Sequence, residues 1–231
     1  MDWINELERA TKSFAALLDD ADLEAAVPAC PGWTLLDLAD HLGGVHRWAG
    51  HAVVAGNPDG GAEPAPRDRA ALVEWYRTGA TRLVRLLDET APNAPAWTFG
   101  PEPHTAAFWR RRQVHETVVH LWDGHASQGR SQDLDPALAL DGLDEVVSVF
   151  YPRQVQLGRT EPLPSGLGLV ASDAPGHPML VIGTTPEATL EAPAATLLLL
   201  LWHRLDLADA DVLVTGNLAR AALLLQHAIT P

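Results

Sequence analysis

The sequence has one cysteine, Cys30, and one lysine, Lys12, in 231 residues. A single thiol excludes an intramolecular disulfide framework and any zinc site built on two or four cysteines. Positive charge is scarce: 16 Lys+Arg stand against 30 Asp+Glu, a formal net charge of −14. So acidic a chain is not expected to bind nucleic acid or an anionic membrane, both of which need a positive surface. Long apolar runs are missing as well. The most apolar stretch, Ala194 to Trp202, is about half of the ~20 residues that cross a bilayer. The N-terminal residues from Met1 to Glu6 are acidic and amphipathic, without the basic start and apolar middle of a signal peptide. The expectation is a cytoplasmic protein without membrane or nucleic-acid partners.

What is present is a globular composition, 47% hydrophobic with eight tryptophans and ten histidines. The length suits one large domain or two small ones with a real core. Abundant Ala and Arg beside a lone Lys point to a GC-rich source.

Hydrophobic periodicity predicts four helices in the first part of the chain. Ile4, Leu7, Phe14, Leu17 and Leu18 mark the first. Pro28, Pro31 and Gly32 then interrupt the chain, and Thr34 with Asp37 resembles a capping box with Asp in place of Glu. The second helix carries Leu35, Leu38, Leu42, Val45 and Ala49 on one stripe. Gly56 to Pro66 reads as a loop. The third helix runs over about 68–89 and the fourth over about 105–126, with a proline-rich loop between them. A further amphipathic helix over about 136–150 packs beside these four or links them to the rest of the chain. After Pro152 the pattern turns to short strands: 166–172 and 179–183 read as a hairpin and 188–191 as a further strand. A helix starting at Pro193 and running to Leu205, a strand over 212–215 and a helix capped by Asn217 complete the chain. The expected fold class is mixed, α plus α/β: an N-terminal four-helix bundle over 1–155 and a small α+β domain over 160–231.

Glu116 and His120 are four residues apart on the fourth helix, so they lie on one face. A carboxylate and an imidazole so placed can reach one divalent cation, and they can equally form an ordinary contact. His41 sits mid-helix among Leu38, Val45 and Trp48, leaning toward the interior. It is either a core histidine bonded to a carbonyl or to Glu116, or a third ligand. Three protein ligands with an open fourth position is the catalytic form of a zinc site. Asp123 is a candidate partner for His120, or an exposed helix acid. His115 and His120 are five apart and point to different sides, so His115 reads as a packing or surface residue. Cys30 has no basic neighbour to activate it and reads as structural. His46 and His51 are not aligned, and Arg110, Arg111 and Arg112 wrap around the helix.

Two motifs resemble a known family. Cys30-Pro31-Gly32-Trp33-Thr34, then Asp37-Leu38, then His41-Leu42-Gly43-Gly44 resemble the N-terminal motif of the mycothiol-dependent maleylpyruvate isomerases, which are DinB-like metal-binding bundles. His115-Glu116, His120 and Asp123 resemble that family's second motif. The resemblance implies that His41, Glu116 and His120 hold a metal, with zinc the usual ion. It implies mycothiol, a low-molecular-weight thiol of actinobacteria, as cosubstrate, and a small electrophile as substrate. The tail resembles the family's sterol-carrier-like C-terminal domain, with Leu197 to Leu201 and Trp202-His203-Arg204 as its helix. That makes Arg204 the candidate for an arginine this domain contributes to the substrate pocket. The implied activity is isomerase or thiol S-transferase. The residues themselves also leave room for a metal-dependent hydrolase, a non-enzymatic binding module, or a buried hydrogen-bond network without metal.

Overall fold

The computed structural model describes residues 1–61 and 63–231. The expected loop over Gly56 to Pro66 contains Ala62, which lies outside the described residues. The chain divides into two compact units, Met1–Gln132 and Asp133–Pro231.

The first unit is built from four helices: α1 (Trp3–Asp20), α2 (Leu35–Ala55), α3 (Arg69–Glu89) and α4 (Ala106–Ser127). Local chemistry sets their starts. Asp2 caps α1, Asp68 caps α3, and Thr34 with Asp37 forms the reciprocal capping box at α2. The box satisfies two amide donors that the first turn leaves without intrahelical partners. Gly56, at φ 68°, ends α2 in the left-handed conformation, which glycine adopts without penalty.

These helices do not follow one another around the unit. α1 packs on α3 and α4, and α2 also packs on α3 and α4. The residue pairs give their directions. Phe14 meets Tyr76 while Leu18 and Ala21 meet Arg69, so α1 and α3 are antiparallel. Trp48 meets Trp109 while His41 meets Glu116 and His120, so α2 and α4 are antiparallel as well. The core between them includes Phe14, Leu18, Leu35, Leu38, Leu42, Leu72 and Tyr76, all fully buried. Each fully buried leucine contributes about 1.5–3 kcal/mol. A Cβ on Gly43 would collide with the Trp75 ring, so this glycine is what lets α2 approach α3 closely.

The second unit opens with α5 (Pro136–Glu145), continues through a π-helical turn (Val146–Phe150), and ends its helical run with α6 (Tyr151–Gln156). The expected boundary at residue 155 is therefore corrected. Residues 133–155 belong to the second unit because α5 packs against a later helix, α7 (Ala194–Leu201). The helical run also passes Pro152, which the sequence pattern marks as its end. The Tyr151 amide donates to Val146 O, a one-residue-wider turn. Pro152 then falls at the start of α6, and the wider turn before it accommodates a residue that has no N–H to donate.

Four strands follow: β1 (Gly166–Ala171), β2 (Leu180–Ile182), β3 (Pro186–Ala192) and β4 (Leu213–Gly216), in the order β2-β1-β3-β4. β1 and β2 form the expected antiparallel hairpin, while β1 and β3 pair in parallel. α7 covers β1 and β3, and a short α8 (Leu218–Leu224) is capped by Asn217. α7 stops at Leu201 and not at the expected Leu205. His203 takes a left-handed φ of 56°, and the His203 and Arg204 amides bond back to Leu200 and Leu199. That is a Schellman-type helix stop made without glycine. No helix is long and apolar enough to cross a membrane among the described residues.

Candidate metal centre

Two elements supply the candidate ligands. His41 comes from α2; Glu116 and His120 come from one face of α4. His41 Nε2 and His120 Nε2 each lie 3.3 Å from Glu116 Oε1. One donor atom from each residue falls within 4.8 Å of the other two. A tetrahedral zinc with bonds of 2.0–2.1 Å needs donors about 3.4 Å apart. The Glu116 separations match that requirement, and the two imidazoles with one carboxylate are a donor set that zinc accepts. The residues therefore fit a divalent metal. His41 is 36% exposed, against 15% for Glu116 and 12% for His120. The cluster is thus reachable by solutes from the α2 side. The Trp33 ring stands 5.0 Å from the His41 ring.

Buried charge fixes the two α4 residues. Asp123, wholly buried, lies 2.9 Å from His120 Nδ1. The Nδ1 proton is directed to this carboxylate, which turns Nε2 toward Glu116. Burial opposes a charge on His120, but the Glu116 carboxylate and the Asp123 hydrogen bond outweigh it and hold the pKa up at about 9. Burial likewise opposes ionisation of Glu116, yet Arg112 and His120 hold its carboxyl well below the ordinary range. Arg112, itself buried, donates from Nη2 to Glu116 Oε2. One carboxylate oxygen is therefore taken by Arg112, and the other faces the two histidines.

Sequence reasoning missed Arg112, setting it aside as one of three arginines wrapped around a helix. Its four-residue spacing to Glu116 was the signal, since side chains so spaced meet on a helix. It also set aside His46. This residue is buried on α2, with Nε2 3.1 Å from Thr117 Oγ1. Burial pushes its pKa down to about 3, so the imidazole is neutral. Asp123 is a buried partner of His120 and not an exposed acid. His115 is buried in edge contact with Trp3, and half-buried Cys30 packs against the core. Arg204 lies in the second unit just past α7. There its Nη1 donates to Trp202 O at 2.6 Å.

The chain is similar to known proteins over most of its length. The family model described as the mycothiol maleylpyruvate isomerase N-terminal domain matches residues 4–123. The MDMPI C-terminal domain model matches residues 137–223. Uncharacterised protein Rv0738 of Mycobacterium tuberculosis (strain ATCC 25618 / H37Rv) is 31% identical over 163 residues. That match covers 66% of this chain and 82% of that protein. Uncharacterised protein MT0763 of strain CDC 1551 / Oshkosh matches to the same extent. Among solved structures, the crystal structure of the mycothiol-dependent maleylpyruvate isomerase matches with a TM-score of 0.61 at 14% identity, over 86% of each chain. A point mutant of that enzyme gives 0.60 at 13% identity. These two structures share the fold. By its sequence, the chain belongs to the mycothiol maleylpyruvate isomerase family.

Proposed function

We propose that the chain is an enzyme that activates mycothiol at a zinc centre held by His41, Glu116 and His120, for attack on a small electrophile. The observation that carries this reading is the convergence of His41 Nε2 and His120 Nε2 on Glu116 Oε1, each at 3.3 Å, with one ligand atom of each residue within 4.8 Å of the other two. Zinc in such a site, with three protein ligands, supplies an open position and the positive charge that keeps a bound thiol deprotonated near neutral pH. The protein's own residues do the rest. Asp123 holds the Nδ1 proton of His120, so that Nε2 presents its lone pair. Arg112 occupies Glu116 Oε2 and leaves Oε1 as a single donor. His41, the most exposed of the three, borders the approach from solvent.

Neither reaction class requires a protein cysteine. In an isomerisation the thiol adds to a conjugated double bond and leaves after rotation. In an S-transfer it displaces a leaving group and stays attached.

Metal analysis of protein purified without chelators tests the centre. About one zinc per chain is expected in the wild type, and none in E116A or H120A with helical content retained. Turnover of an electrophile such as maleylpyruvate is expected only with thiol added. Turnover without thiol indicates activation of water instead, and a zinc-free wild type overturns the reading.

A further inference from the structure

The metal centre straddles two helices, and nothing within either helix fixes their separation. His41 belongs to α2, while Glu116 and His120 belong to α4, with Glu116 75 residues from His41 in sequence. The tetrahedral spacing therefore depends on how α2 and α4 are held together. Besides the candidate ligands themselves, a buried polar link joins them next to the centre. His46 Nε2 stands 3.1 Å from Thr117 Oγ1. His46 lies five residues after His41 on α2, and Thr117 directly follows Glu116 on α4.

The direction of this bond can be deduced. The Thr117 hydroxyl has one proton, and it goes to Gln113 O at 2.6 Å. Thr117 Oγ1 is therefore the acceptor, and His46 must donate from Nε2–H. The link is a directional chain: His46 Nε2–H to Thr117 Oγ1, and Thr117 O–H to the Gln113 carbonyl on the preceding turn of α4. Both residues are almost fully buried, His46 at 1% exposure and Thr117 at 0%. A broken bond there would leave a donor without water to replace its partner. The His46 ring also packs on Tyr76 of α3, with centroids 5.5 Å apart. Its position is thus held from a third helix.

We propose that His46 and Thr117 are positioning residues for the metal centre: their hydrogen bond sets the separation of α2 and α4 at which His41 can share an ion with Glu116 and His120. This inference rests on the proposed zinc centre. It assigns His46 no contact with metal or substrate.

The test compares T117V, which keeps the side chain's shape but loses the acceptor, with T117S, which keeps the acceptor. Zinc affinity is measured by competition with a chromophoric chelator. The visible spectrum of the cobalt(II)-loaded protein reports coordination geometry, and denaturant unfolding reports the stability of the metal-free protein. T117V is expected to weaken zinc binding by about tenfold, the low end for residues that orient a ligand, and to lose intensity in the tetrahedral cobalt bands. T117S is expected to keep both near wild type. If T117V retains wild-type zinc affinity and cobalt spectrum, whatever happens to its stability, the link is scaffold only and the inference is overturned. Should T117V fail to fold, H46Q keeps a donor and H46M removes it, and the same contrast is read from that pair. A wild type that binds neither zinc nor cobalt sinks the zinc centre and this inference with it; a wild type that binds both, beside an unaffected T117V, sinks only this one.

Discussion

The two ends of the α2/α4 contact have opposite chemistry. At one end His41, Glu116, His120, Arg112 and Asp123 crowd charge and imidazole into a mostly buried space. At the other, Trp48 and Trp109 meet edge to face at 5.1 Å, surrounded by Trp97, Phe99 and Phe108. Trp48 stands seven residues after His41, and Trp109 seven before Glu116. The aromatic layer thus lies two helical turns, about 10 Å, from the metal layer. Its polar edges are spent on loops: Trp109 Nε1 donates to Trp97 O and Trp48 Nε1 to Pro58 O. On α2, His46 falls between the two layers in sequence, while its partner Thr117 adjoins Glu116 in the metal layer of α4. A polar cluster contributes little net stability, because the attraction between buried charges is offset by their desolvation. Aromatic burial carries no such penalty. The comparison teaches that rigidity and reactivity on one helix pair are supplied by separate layers.

That division predicts different failures at the two ends. The largest effect falls at the aromatic end. W109A should cost about 3–5 kcal/mol of unfolding free energy, measured by urea denaturation. Below its melting range it should still bind one zinc per chain. Loss of zinc from folded W109A would break the comparison. Next is D123N at the polar end. The amide no longer attracts the Nδ1 proton of His120 as the carboxylate does. Zinc affinity should fall about 10–100-fold, with a smaller change in stability than W109A. The most graded effect is that of pH. In the metal-free site His120 holds its second proton up to about pH 9, and zinc must displace that proton to reach Nε2. Zinc binding should tighten about tenfold per pH unit between pH 7 and 9, then level off. The same shift makes the metal-free protein lose His120's contribution as pH rises from its unfolded value of about 6.5 toward 9. A zinc affinity independent of pH over that window would show that His120 is not a ligand.

Much of the helical unit was legible because its signals are local. Thr34 with Asp37 and the apolar stripes of the helices each act within a few residues. The order of helices around the unit was not legible. A stripe says that a face is buried, not which helix covers it, and α1 beside α4 is a tertiary outcome. The same limit hid His46, whose partner Thr117 is on another helix. Arg112 was visible in principle, but with Arg110 and Arg111 it read as a triplet wrapped around the helix and forming no patch. The boundary after Gln132 was misplaced because the amphipathic pattern of α5 fits either unit. Only its packing on α7 decides. The early end of α7 rests on His203 adopting a conformation that the sequence normally announces with glycine. The Glu116–His120 spacing was legible as possible chemistry with mid-helix His41 as a possible third member, and the family motifs favoured the ligand reading over a core histidine.

The crossed order of the helices bears on when the candidate centre can exist during folding. Helices α2 and α4 are separated in the chain by all of α3 and two loops, and α2 reaches α4 only once both are in place. A growing chain that has made α2 and α3 carries His41 but neither of the other two candidate ligands. The cluster is a high-contact-order feature, which cannot close before both helices are present. An ion held there can report that the first unit is complete, and a half-made chain offers stray metal no comparable three-donor pocket.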